Sequence, residues 1–123
     1  MRWLVGSIDD WDRLFQRAYE CLAPGGWLES YEMSTMWESD NGSVTDKSAL
    51  GQWGKIFIEG GRKAGRTFTV VVDGLQRKAM ENAGFVDIQE RDIKVSKPQF
   101  RPNLTCIKEV RKRRANVTCL VRE

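Results

Sequence analysis

The sequence predicts an α/β fold: a strand, a helix of about four turns and a second strand forming a parallel βαβ unit, then a later helix and strand. Three observations predict it. Apolar residues recur at helical spacing from Trp11 to Leu22. Pro24-Gly25-Gly26 breaks that pattern and leads at once into the strand-like Trp27–Met33. A second helical pattern ends at Gly84 and is followed by a run of strand character from Phe85 to Val95.

The elements follow in order. Arg2-Trp3-Leu4-Val5 reads as the end of a strand. Ser7-Ile8-Asp9-Asp10 has the form of a capping box, with Ser7 at the cap and an acid three residues on. Trp11, Leu14, Phe15, Ala18, Tyr19 and Leu22 then make one helical face, with Asp12, Arg13, Gln16, Arg17 and Glu20 opposite. Proline cannot continue that helix and glycine permits the reversal. The strand over 27–33 lies parallel to the first, because a helical crossover joins them. Residues 34–47 are polar, with Asn41-Gly42 as a turn signal. Residues 46–64 read as a helix with Leu50, Trp53, Ile56, Phe57 and Gly60 on one side. Five glycines between 51 and 65 count against it by about 1 kcal/mol each relative to alanine. Phe68–Val72 is a short extended run. Asp73 is placed to cap a helix bearing Leu75, Ala79, Met80 and Ala83, closed by Gly84. In the strand over 85–95 the apolar phase slips between Ile88 and Ile93, which predicts a bulge or a bend. From Ser96 onward Pro98, Pro102 and the charge run Lys108–Arg114 remove any pattern, so residues 96–123 are expected to be an irregular, disordered basic tail.

Composition sets the bounds. A chain of 123 residues and 14.1 kDa is one domain or part of one. With 41% apolar residues, five Trp and five Phe, it can build a core. The absence of histidine excludes imidazole general bases, Ser-His and Cys-His nucleophilic pairs and histidine metal sites. Cys21, Cys106 and Cys119 make no CxxC pair, so no metal site is read and a reducing compartment is expected. No apolar run approaches the ~18 residues of a membrane span. The first six residues are too short for a signal peptide, so an intracellular location, cytoplasm or nucleus, is expected. The net charge of +3 comes from the tail, where residues 97–123 hold eight Lys or Arg against two acids.

Several motifs invite a chemical reading. Gly60–Thr67 resembles a phosphate loop with Arg66 in place of lysine. It follows a helix instead of a strand, so it reads as a helix-ending turn. Glu29 and Glu32, three apart on a strand, face opposite sides and form no acid/base pair. Ligands of open α/β sheets bind outside the carboxyl ends of strands, and Glu32 lies near such an end, which makes it a substrate-binding candidate. Trp11, Trp27 and Trp53 are expected in the core. Trp37, in the polar stretch, is the tryptophan left open for substrate contact. Lys108–Arg114 reads as a solvated run; nucleic-acid binding would need a groove-entering motif that is missing.

Three segments carry a resemblance. Arg2-Trp3-Leu4-Val5-Gly6-Ser7-Ile8-Asp9-Asp10-Trp11, Leu22-Ala23-Pro24-Gly25-Gly26-Trp27-Leu28-Glu29 and the stretch from Ala79 to Val86, with Ala83-Gly84-Phe85 in it, resemble class I S-adenosylmethionine (SAM)-dependent methyltransferases, most closely the fungal LaeA-like, TAM-domain group. The resemblance implies that residues 1–95 are the C-terminal half of such a domain, a partial Rossmann-like sheet beginning at the end of strand four. It implies SAM as cofactor, with Arg2 and Trp3 bordering its methionine part. The family's acidic-x-Gly-x-Gly-x-Gly turn is not in this sequence, so the fragment is expected not to bind SAM or turn over alone. No catalytic residue or methyl acceptor is named. An exposed sheet edge invites self-association. The alternative function is a small basic protein that binds nucleic acid or a protein partner through its tail.

Overall fold

The computed structural model describes residues 1–96 and 111–120. Helix α1 (Trp11–Cys21) starts at Asp10, not at Ser7. The Asp10 carboxylate accepts the Arg13 N–H at 2.8 Å, satisfying a first-turn donor. Ser7 is occupied in a turn, where its N–H donates to Leu4 C=O at 2.9 Å. The helix buries Trp11 and Phe15, with Leu14, Tyr19 and Leu22 packed behind them. The break then runs as expected: Gly26 N–H bonds Ala23 C=O at 2.9 Å and Gly25 takes φ 75°.

Strand β1 (Trp27–Glu38) continues past Met33 through residues whose polarity had marked a loop. Their side chains find local partners. The Thr35 hydroxyl donates to Phe68 C=O at 2.9 Å, and the buried Ser34 hydroxyl accepts the Met36 N–H at 3.1 Å. Arg2 makes a single parallel bridge to Tyr31, with Trp3 N–H donating to Tyr31 C=O at 3.2 Å. Of the expected βαβ unit, the helix and second strand are present and the first strand is this one bridge.

Helix α2 (Ala49–Lys63) is capped by Ser48, whose hydroxyl accepts the Gly51 N–H at 3.2 Å. Its orientation corrects the expectation. The buried positions are Gly51, Gly54 and Gly61, while Trp53 is 54% and Ile56 66% exposed. A Cβ at Gly54 would lie 2.9 Å from Thr35 C=O, and one at Gly51 2.1 Å from Thr45 C=O. Of the glycines counted against this helix, Gly54 lets it approach β1 and Gly51 lets it close on the turn at Thr45. Phe68–Val72 is not a strand but a series of turns, with Asp73 N–H bonding Thr69 C=O at 2.8 Å and Val70 fully buried.

Helix α3 (Leu75–Ala83) follows. Gly74, at φ 60°, occupies the cap position, and Asp73 instead accepts the Thr69 hydroxyl. α3 buries Ala79, Met80 and Ala83 as expected and also Gln76, whose amide donates to the Ser30 hydroxyl at 2.8 Å. Gly84 closes it at φ 95°. With Trp11, Phe15, Val70 and Phe85, these residues form the core between α1 and α3.

Strand β2 (Val86–Ser96) slips register between Val86 and Gln89, with Asp87 at φ 52°, so the bulge comes earlier than the 88–93 interval. Strand β3 (Arg111–Leu120) completes a three-stranded sheet in the order β1-β3-β2. β3 is antiparallel to both neighbours, so β1 and β2 run parallel to each other. This corrects the expected irregular tail at residues 111–120: four consecutive cations hid the alternation, and pairing on both sides makes the strand. Residues 97–110 and 121–123 of that expected tail lie outside the described residues. Trp27, expected in the core, is 61% exposed at the start of β1.

Candidate functional site

The chain leaving the Arg2 bridge is where the described residues converge. Alternation along β1 turns Ser30, Glu32 and Ser34 inward. Glu32 is fully buried. A bare carboxylate there would be costly, and it is not bare. Leu4 N–H reaches Oε1 and Oε2 at 2.9 Å each, and Val5 N–H reaches Oε2 at 3.0 Å. Burial pushes the Glu32 carboxyl above its ordinary value, and the two backbone donors pull it partly back. The carboxylate thus clamps the 3–9 loop to β1.

The far side of the loop is held by the turn after α2. Gly6 N–H donates to Thr67 C=O at 3.3 Å, and the Arg66 guanidinium donates to Ser7 C=O at 3.1 Å and lies 3.8 Å from Asp9. Between the loop and α2 opens an apolar groove of about 310 Å³, floored by Phe68 and walled by Ile56 and Phe57. It lies against Gly6, at the carboxyl end of the bridged strand, the side on which open α/β sheets bind ligands. Gly60–Thr67, which resembles a phosphate loop, is the end of α2 and its turn, with Gly65 at φ 65°.

The anticipated site residues are partly assembled. Arg2 pairs with Glu29 at 3.4 Å on the outer face of β1, so Glu29 and Glu32 do face opposite sides. Trp3 is half-exposed, at φ 60°, with its ring edge-on to Tyr31 at 6.4 Å. Glu32 stands beside them, though its carboxylate is engaged by the loop backbone. Trp37 is half-buried further along β1, in register with Lys112, about 17 Å of strand from Glu32. Leu4 and Val5 and the Gly6–Phe68–Gly61 contact were not anticipated. Backbone donors leave no sequence signal, but the glycine pair does.

The described residues do not by themselves form a cradle for the SAM implied by the resemblance. The Leu4 and Val5 N–H groups at the strand end are engaged by Glu32, and Arg2 by Glu29.

No family model and no solved structure matches the chain. Curated proteins do. The chain is 40% identical over 80 residues to the probable methyltransferase tdiE of Emericella nidulans, covering 63% of this chain and 24% of that protein. It is 33% identical over 94 residues to the methyltransferase pytC of Aspergillus terreus, covering 76% and 28%. It is 31% identical over 96 residues to the secondary metabolism regulator LAE1 of Cochliobolus heterostrophus, covering 77% and 31%. The homologues of this chain are fungal methyltransferases, with regulators of the LaeA kind among them. The chain spans less than a third of the length of each of these three relatives. Among the described residues, no helix is long and apolar enough to cross a membrane.

Proposed function

We propose that this homologue of fungal methyltransferases carries part of a SAM-dependent methyltransferase domain: the portion of a Rossmann-like sheet that receives the methyl acceptor. The observation that carries the reading is the parallel Arg2–Tyr31 bridge, crossed over by α1, with its outgoing loop clamped by Glu32 at the strand's carboxyl end. In doubly wound sheets that loop cluster is where ligands are bound. The sheet is compatible with this: β1 and β2 run parallel, with one antiparallel strand between them.

Methyl transfer from a sulfonium depends on close, in-line placement of donor and acceptor, so a chain without histidine is no obstacle to it. The residues of this chain would hold and orient the acceptor; the grip on the donor would come from elsewhere in a complete domain. Calorimetry tests both halves of this reading. The chain alone is expected to show no micromolar binding of SAM. Mixed with the part of tdiE outside the matched segment, it is expected to gain donor binding. Micromolar binding by the chain alone overturns the first half, and a mixture that binds no donor overturns the second.

A further inference from the structure

We propose that the groove between α2 and Phe68 is a binding site for a flat aromatic small molecule bearing one acidic group. The proposal depends on the methyltransferase reading only in identifying that molecule as the methyl acceptor.

The floor is built, not incidental. An ideal Cβ at Gly6 would sit 2.3 Å from the Phe68 ring and one at Gly61 2.2 Å from it. Two glycines from segments far apart in sequence therefore bed this one ring and hold its face in place. Gly6 also adopts φ 77°, which disfavours any side chain there. Phe57 lies 5.7 Å from Phe68 at 44°, and Trp53 lies 5.3 Å from Phe57. Phe57 and Ile56 line the groove as an apolar wall, with Trp53 beside Phe57, and Phe57 remains 38% exposed. Beside them Gly60 has nothing within 4 Å of its missing Cβ, so the groove is open at that point.

Size and charge narrow the ligand. A volume of about 310 Å³ is at the small end of ligand pockets and suits a molecule of two or three rings. Aromatic walls favour a planar ligand that can stack or meet them edge-on. The rim is cationic. Arg66 lines the groove, and Lys63 lies one turn beyond Gly60 and two turns beyond Ile56 on the outward side of α2. Among the described residues Lys63 has no ion-pair partner. An apolar bed lined by the Arg66 guanidinium, with Lys63 a helical turn beyond Gly60, complements a ring system with a carboxylate or phenolate at one end.

The probe is 2-naphthoate, titrated into the full chain by calorimetry and followed by ligand-observed NMR, with no methyl donor present. Saturable binding is expected, with cyclohexanecarboxylate and 2-naphthylmethylamine each weaker by about tenfold. Gly60→Phe places a ring in open space at a helical position, so the fold should persist while naphthoate affinity falls by at least about tenfold. Lys63→Gln should reduce the preference for the acid over the amine by about threefold. The proposal is overturned by no saturable binding, by unchanged affinity in Gly60→Phe, or by equal affinity for the amine. Because no donor enters the experiment, these failures leave the SAM titrations untouched, and a failure of those titrations would leave a ligand site without the methyltransferase role.

Discussion

α1 and α2 are both amphipathic, yet they use their apolar residues in opposite ways. α1 turns Trp11 and Phe15 into the core and leaves its charges outside. α2 turns Gly51, Gly54 and Gly61 inward and leaves Trp53 and Ile56 outside. Burial of large side chains stabilises α1. Closeness of backbone shapes α2, where Thr35 C=O of β1 lies 2.9 Å from the place of a Gly54 Cβ and Thr45 C=O 2.1 Å from that of a Gly51 Cβ. An apolar stripe alone therefore does not say which way a helix faces when glycines recur on its other side.

The largest test of this contrast is truncation of an aromatic ring on each helix. Phe15→Ala should cost about 3–5 kcal/mol, whereas Trp53→Ala should cost under about 1 kcal/mol, read as shifts in urea midpoint. Equal costs would mean that the two helices do not differ as described. A finer test stays within α2. Gly61→Ala should destabilise by about 1–3 kcal/mol, because its Cβ meets Phe68 and, at 2.7 Å, Arg66 C=O. Gly60→Ala, one residue earlier in open space, should stabilise by up to about 1 kcal/mol through helix propensity. Opposite signs at adjacent glycines are the signature of backbone-close packing.

The smallest effect concerns Glu32, whose burial belongs to neither helix. Its carboxyl is raised above the ordinary value of 4.5, so between those two values the folded state binds more protons than the unfolded one. Its contribution to stability is therefore full below pH 4.5 and declines as pH rises through the raised value. Glu32→Gln should flatten that part of the stability–pH curve and change stability at pH 4 by under about 1 kcal/mol, since the protonated carboxyl and the amide each offer Leu4 and Val5 one carbonyl oxygen. Urea midpoints measured from pH 4 to pH 8 would read the slope; an unchanged slope in the variant would assign it to another group.

Much of the fold was legible because local chemistry and tertiary packing agree there. The face from Trp11 to Leu22, the Pro24-Gly25-Gly26 break, the opening of β1 and the Gly84 stop of α3 needed only periodicity and turn chemistry. Elsewhere a second interaction prevailed. Asp10 took the cap because Ser7 was already in a turn. The polarity of Ser34 and Thr35 masks a strand because side-chain partners such as Phe68 C=O, 33 residues away, cannot be seen in a linear pattern. β3 was hidden by Arg111–Arg114, whose charges mask a backbone ladder. At the site, a strand ending at Met33 singles out Glu32 in the sequence, but β1 runs on to Glu38 and leaves Glu32 mid-strand. Its partners could not be singled out, because they are backbone N–H groups 27 and 28 residues away.

The middle strand of the sheet is the last of the three to be synthesised. Until residues 111–120 have left the ribosome, neither Trp27–Glu38 nor Val86–Ser96 has the neighbour that joins them, and two ribbons of unpaired backbone must wait. Such late, long-range closure is slow, and the waiting edges are sticky. Closure of this sheet should therefore wait for its last-made strand, sensitive to concentration and to chaperones, with a window for misassembly that shuts only when the final ribbon slides between its partners.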